Sequence, residues 1–202
     1  MRKVDPVKHE EKRAEILAAA ERCFARSGFH GATIAQICDE AGISPGHLYH
    51  YFASKEAIIG AIASAGLEYA KARFAEVPED QDPIRALVSE FERLEALNRT
   101  KSGVLLDVLA EAARNPEIGK ILQDTSEEMR QLLAEFLRRG QARGQVDPDL
   151  DADVAAAMLI SMIDSSKTLL IRAPTIDPIR SADVLEKMIG RFLSPPAGAS
   201  GS

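Results

Sequence analysis

Residues 33–55, TIAQICDEAGISPGHLYHYFASK, restrict what this chain can fold into more than any other stretch. Thr33 and Gln36 stand three apart ahead of an apolar pattern, so Thr33 caps a first helical turn while Gln36 reaches back to it. Ala35, Ile37, Cys38 and Ala41 give that helix a small apolar face. Gly42 follows at the position where a left-handed residue ends a helix cheaply. Ser44 then caps again, and Pro45 takes the first helical position, where its missing N–H costs nothing. A second short helix runs on through His47, Leu48, Tyr49 and His50. Two short helices joined by a glycine turn, the second carrying aromatic and imidazole side chains, are the unit that a helix-turn-helix DNA reader requires.

A helix this short is not stable alone. Leu48, Tyr51 and Phe52 are therefore expected to anchor it against a preceding helix from about Val7 to Ser27, whose inner face is Ile16, Ala19, Ala20, Cys23 and Phe24. Gly28 stops that helix and Phe29 folds back over its end. Ser44, Pro45, Gly46 and His47 then lie at the end of the second short helix that approaches base edges. His47 can donate to or accept from a base, Gly46 lets the backbone come close, and Tyr49 and His50 are next in reach. The segment offers no Arg, Asn or Gln for bidentate base contacts. Reading must rest on His47, His50 and Tyr49, on thymine methyls and on DNA shape.

The order of Phe24, Gly28, Phe29, Thr33, Ile37, Ala41, Gly42, Ser44, Leu48, Tyr49, Tyr51, Phe52, Lys55 and Glu56 resembles the DNA-binding domain of the tetracycline-repressor (TetR) family. Many spaced positions agree at once, over about a quarter of the chain. The resemblance implies that Tyr49 and Tyr51 donate hydroxyls to phosphates, that His50 faces the groove and that Lys55 pairs with a phosphate. Thr33 and Gln36 are placed to touch the DNA backbone from the preceding helix.

The net charge of -6 argues at first against a nucleic-acid partner, but its distribution matters more. Residues 1–55 hold 8 Lys+Arg against 7 Asp+Glu and all four histidines, whereas the remainder holds 17 against 24. The front of the chain is the part that tolerates a phosphate backbone, without being a strongly basic patch. Arg2 and Lys3 sit in an N-terminal arm that could touch DNA. No apolar run approaches a membrane span and the first residues lack a signal-peptide core, so a cytoplasmic protein with no membrane partner is expected. Cys23 and Cys38 fall on apolar helical faces and read as buried thiols.

From Lys55 onward the periodicity is helical throughout, with breaks at VPEDQDP (77–83), at Asn115-Pro116 and at VDPDLD (146–151). The prediction is an all-α chain of about nine helices. A three-helix helix-turn-helix domain spans 1–55, a helical ligand-binding and dimerisation domain spans 56–193, and a disordered tail covers 194–202. Asp107, Glu111 and Arg114 form a polar stripe expected to face solvent. The stretch from Asp151 to Ile171 is apolar on nearly all sides and needs cover on more than one. Its polar stripe includes Ser161, Asp164, Ser165, Thr168 and Arg172. The resemblance implies that this helix and the last one pair with their symmetry mates. The dimer interface would then include Ser161, Ser165, Thr168, Val184, Met188 and Phe192.

An apolar body this large can enclose a small-molecule effector. Phe91, Leu106, Met129, Leu133, Met158 and Met162 are the expected wall, with Asp164 as polar anchor, which would suit a lipophilic or cationic ligand. No Gly-rich phosphate loop, Cys/His ligand spacing or Ser/His/Asp set appears, so neither an enzyme nor a cofactor or metal is expected. The function expected is a homodimeric repressor released from a pseudo-palindromic double-stranded operator by a small apolar ligand. The alternative is a ligand-binding or sensor dimer that activates, or that does not use DNA as its main partner.

Overall fold

The computed structural model describes residues 5–78, 81–98, 102–166 and 169–196, and the side chains of these apart from 91–98, 102, 103, 170, 171 and 178. The arm with Arg2 and Lys3, Thr168, the Phe91 side chain and most of the expected tail fall outside that description. Among the described residues every regular element is a helix. These are α1 (Pro6–Gly31), α2 (Ile34–Ala41), α3 (Pro45–Tyr51), α4 (Lys55–Ala75), α5 (Pro83–Asn98), α6 (Ser102–Ala112), α7 (Pro116–Ala142), α8 (Ala152–Ser166), the single turn α9 (Leu169–Arg172) and α10 (Pro178–Leu193). They form two compact units, Met1–Gly66 with Thr100–Thr125, and Leu67–Arg99 with Ser126–Ser202. Packing therefore divides the chain differently from a cut at residue 55, because α6 and the start of α7 pack with the N-terminal helices.

In the first unit, Asp5 caps α1 by accepting from the Val7 N–H at 3.1 Å, and Pro6 takes the first turn. The inner face of α1 buries Ile16, Leu17, Ala20, Cys23 and Phe24, as its periodicity requires, against Ile37 and Cys38 of α2, Leu48 of α3 and Ile58 of α4. Burial pushes both cysteine thiols upward, so they behave as packing groups and not as nucleophiles. Gly28 breaks α1 with φ 69° and ψ 173°, a region essentially confined to glycine. The break folds Phe29 into the core, its ring 5.7 Å from that of Phe24.

Of the stripe expected to face solvent on α6, Asp107 and Arg114 are exposed and Glu111 is not. Asp107 accepts from the Phe29 N–H at 3.3 Å, and Glu111 is only 6% exposed, 2.5 Å from His30 Nε2 and 3.3 Å from Arg114 Nη2. α6 lies along α1; the Phe29 amide freed by the Gly28 break finds its acceptor in Asp107, whereas Glu111 pairs with the His30 ring and the Arg114 guanidinium. Burial acts to raise the Glu111 carboxyl, but the hydrogen bonds from His30 and Arg114 outweigh it and hold the group below its ordinary range.

The second unit packs Ala70 and Phe74 of α4, Ala86 and Leu87 of α5, Leu133, Phe136 and Leu137 of α7, Ala155, Ala156 and Leu159 of α8, and Leu185, Ile189 and Leu193 of α10. The alanines let helices approach closely, and the Phe74 and Phe136 rings meet at 4.9 Å. Gly140 is required by contact: a Cβ there would stand 2.6 Å from Val146 Cγ2 and 3.0 Å from Pro83 Cγ. Arg130 and Arg138 both reach Asp153, tying α7 to α8. α8 is buried along Ala152, Ala155, Ala156 and Leu159, yet Val154 and Met158 on its other side are 58% and 56% exposed. The all-round apolar character of that stretch is thus half explained within one chain.

Candidate nucleic-acid interface

Both short helices carry the caps that the sequence calls for. Thr33 Oγ1 accepts from the Gln36 N–H at 3.2 Å while Gln36 Oε1 accepts from the Thr33 N–H at 2.9 Å. Gly42 closes α2 in the left-handed region at φ 63°. Ser44 Oγ accepts from the His47 N–H at 3.3 Å, starting α3 with Pro45 inside its first turn.

The caps change what each side chain can offer. With its oxygen held by the cap, Gln36 turns its amide nitrogen outward, whereas the Thr33 hydroxyl already faces Gln36 Oε1 at 3.3 Å. Gln36 is the better backbone donor of the two.

α3 is two-faced. Leu48 is fully buried and Phe52, which follows the helix, is 5% exposed, so the inner face is locked into the α1–α2–α4 core. Ser44, Pro45, Gly46, His47 and His50 are exposed and Tyr49 is 54% exposed. Nothing stands within 4 Å of a Cβ built on Gly46, so the backbone there is open to a close approach from outside. Tyr51 is half-buried at the edge of this face. The His9 ring of α1 stacks on it at 4.6 Å, and His47 and His50 each lie 5.5 Å from it. Nothing in the pattern around His9 announced this role, because it depends on how α1 crosses α3.

Lys55 stands differently from the expectation for a phosphate partner. Its Nζ donates to the carbonyls of Phe29 at 2.5 Å and Ala32 at 3.1 Å, and sits 4.3 Å from the Phe29 ring centroid. It tethers the start of α4 to the carbonyls left over at the end of α1. Arg22 and Arg26 are also occupied, each 2.7 Å from the Glu40 carboxylate, and their hydrogen bonds hold Glu40 below the ordinary carboxylate range. Among the described residues from 5 to 55, Lys8 is the Lys or Arg left without a partner. The exposed face of α3 offers hydroxyls and imidazoles, with few fixed cations.

The residues expected around an effector have different surroundings. Leu106 belongs to the first unit, Leu133 is 3% exposed in the core of the second, Met129 packs beside that core, and Met158 points outward. Asp164 is half-buried on α8. Met162 alone of these lines a groove, of about 530 Å³, formed by the end of α8, α9 and α10. Of the residues expected at a dimer interface, Ser161 and Ser165 are exposed, as are Val184 at 55%, Met188 at 52% and Phe192 at 37%.

Among the described residues no helix is long and apolar enough to cross a membrane.

Comparison with known proteins agrees with this geometry. The family model described as bacterial regulatory proteins, tetR family, matches residues 16–62, and that described as BetI-type transcriptional repressor, C-terminal, matches 80–193. The HTH-type transcriptional regulator UidR of Escherichia coli K12 is 33% identical over 150 residues, covering 74% of this chain and 76% of that protein. The HTH-type transcriptional repressor KstR2 of Mycobacterium tuberculosis is 31% identical over 147 residues, covering 71% and 73%. The structure of Salmonella enterica GusR superposes with a TM-score of 0.76 at 28% identity, covering 96% of this chain and 99% of that one. Bacillus subtilis FadR, solved in complex with stearoyl-CoA, shares the fold with a TM-score of 0.74 at 19% identity, over 89% of this chain and 98% of its own. With α2 and α3 forming a helix-turn-helix whose outer face is open, the chain belongs to the TetR family of DNA-binding transcriptional regulators.

Proposed function

We propose that the chain is a homodimeric repressor that grips a pseudo-palindromic operator with two copies of α3 and lets go when a small molecule occupies its second unit. The observation that carries this reading is the asymmetry of α3. Its inner residues are fixed in a core, while Ser44, Gly46, His47, Tyr49 and His50 are presented together with nothing of the described chain covering them. Residues 1–55 act as the reader and 56–193 as the part that pairs and responds. In the reader, Tyr49 and Gln36 hold phosphates, His47 and His50 face base edges, and Lys55 supports the reader from within.

Dimerisation is supported by two exposed stripes. Val154, Met158, Ser161 and Ser165 recur at helical spacing on α8, and Val184, Met188 and Phe192 do so on α10. Water-facing Met, Val and Phe at helical spacing on α8 and α10 are a liability unless a second copy covers them. Pairing also supplies the second reader, which a weakly basic domain needs in order to bind well at physiological salt. A ligand can release DNA only by as much as it prefers the released state, typically about 1–3 kcal/mol, or roughly 5- to 150-fold.

The test is selection from a random duplex library with the purified chain, alongside sedimentation at micromolar concentration. A dimer that enriches a two-fold symmetric site supports the reading. A monomer, or a library with no enriched sequence, overturns it.

A further inference from the structure

The groove between the end of α8, α9 and α10 has a chemistry opposite to that expected from Asp164. Its wall includes Met162, Leu169, Ile176, Leu185 and Met188, and its described lining contains two cations, Arg172 and Arg180, with no acid. Neither arginine makes an ion pair or hydrogen bond with any described residue. Elsewhere in the second half of the chain Arg114 pairs with Glu111, and Arg130 and Arg138 pair with Asp153. Two exposed guanidinium groups thus stand beside an apolar trough of about 530 Å³. The volume lies within the range of roughly 300–1,000 Å³ usual for small-molecule sites.

We propose that this groove binds an amphipathic organic anion, its apolar body against Met162, Leu169, Leu185 and Met188 and its carboxylate or sulfate group between Arg172 and Arg180. The inference rests on the reading that the second unit is the responsive one, and it supplies the class of molecule that this reading leaves open. Guanidinium forks match the paired oxygens of a carboxylate and hold it bidentately, which an ammonium does less well. A cationic ligand would meet two like charges with no counter-ion in the described wall, and a neutral one would forgo both forks. The groove opens beside Val184 and Met188 on the stripe proposed to face a second copy. An occupant there can bias how two chains pair, and with it the spacing of their reader helices.

The experiment uses the full chain and three twelve-carbon probes below their micelle concentrations: dodecanoate, 1-dodecanol and dodecyltrimethylammonium. Calorimetry on wild type, Arg172→Gln, Arg180→Gln and the double variant reads binding. Sedimentation reads pairing, and anisotropy on the selected duplex reads DNA affinity. Dodecanoate should bind about tenfold more tightly than the alcohol, which is what two solvent-facing charge pairs supply together. The double variant should erase that preference while keeping the affinity for the alcohol. Equal affinity for anion and cation, or a preference that survives in the double variant, overturns the proposal. So does a chain that binds no probe and whose dimer weakens when the arginines are replaced, since the groove would then belong to the second copy. Binding of dodecanoate without DNA release supports the anion site and overturns the repressor-release reading instead.

Discussion

Replacing Gly28 by alanine tests how α1 and α6 are joined. At φ 69° and ψ 173° an L-residue is strained by about 1–3 kcal/mol whatever its surroundings. The new Cβ would also stand 2.3 Å from Asp107 Oδ2. That oxygen is the free end of a side chain, so it swings away instead of moving backbone, and the Phe29 N–H loses its acceptor at about 0.5–1.5 kcal/mol. Gly28→Ala should therefore cost about 1.5–4.5 kcal/mol, and Asp107→Ala alone about 0.5–1.5 kcal/mol. In the double variant the second change should add almost nothing, because the first has already displaced the carboxylate. The interaction energy of the cycle is then about as large as the single Asp107 effect. Urea melts followed by helical circular dichroism, with unchanged slopes, give these values. In thermal melts the Gly28 variant should fall by roughly 3–18 °C. Strict additivity of the two changes, or a Gly28→Ala cost below about 0.5 kcal/mol, would refute the link between the break in α1 and the acid on α6.

Other consequences follow from single contacts. The folded state favours ionised Glu40 through Arg22 and Arg26, so that contribution is complete above the ordinary carboxylate range and disappears as pH falls through the lowered value; Glu40→Gln should flatten the acid limb of a stability-against-pH curve, and an unchanged limb would show that the pair contributes nothing. With Lys12, Arg13, Arg22, Arg26 and Lys55 engaged within the protein, DNA affinity measured against salt should give a log–log slope no steeper than about -5.4 for a dimer using Lys8, Arg2 and Lys3 from each chain. A slope near -10 would mean that those internal pairs open on DNA. Met158→Asp together with Met188→Asp should leave helicity and melting of the single chain intact, since both side chains are more than half exposed, while sedimentation shows a monomer; a persistent dimer would place the pairing surface elsewhere.

The parts of the fold that were legible in the sequence are those governed by neighbours within a turn or two. The Thr33–Gln36 capping box, the left-handed Gly42, the Ser44–Pro45 start and the stop at Gly28 all appear where the local chemistry puts them. So do the buried faces of α1 and α3, because a 3.6-residue period names its own inner side. Contacts between distant segments left no such trace. Glu111 has the periodicity of a wet stripe, and only the packing of α6 along α1 covers it, while Asp107 stays exposed and still reaches the Phe29 amide. Lys55 occupies a position associated with phosphate in the family it resembles, yet the carbonyls at the end of α1 lie closer to hand. The groove was illegible for a similar reason: Arg172 stood in the polar stripe after Asp151, but that it shares a wall with Arg180 depends on the turn between α9 and α10.

The most direct test of the central claim is the affinity of the chain for its selected duplex after His47→Ala and Tyr49→Ala are introduced together. Both side chains are exposed and neither belongs to the core, so folding should be unaffected. Loss of about 1–3 kcal/mol per dimer for each contact, roughly 5- to 150-fold, is expected in fluorescence anisotropy. An unchanged dissociation constant, with the variant still folded and dimeric, would contradict the assignment of the outer face of α3 to DNA.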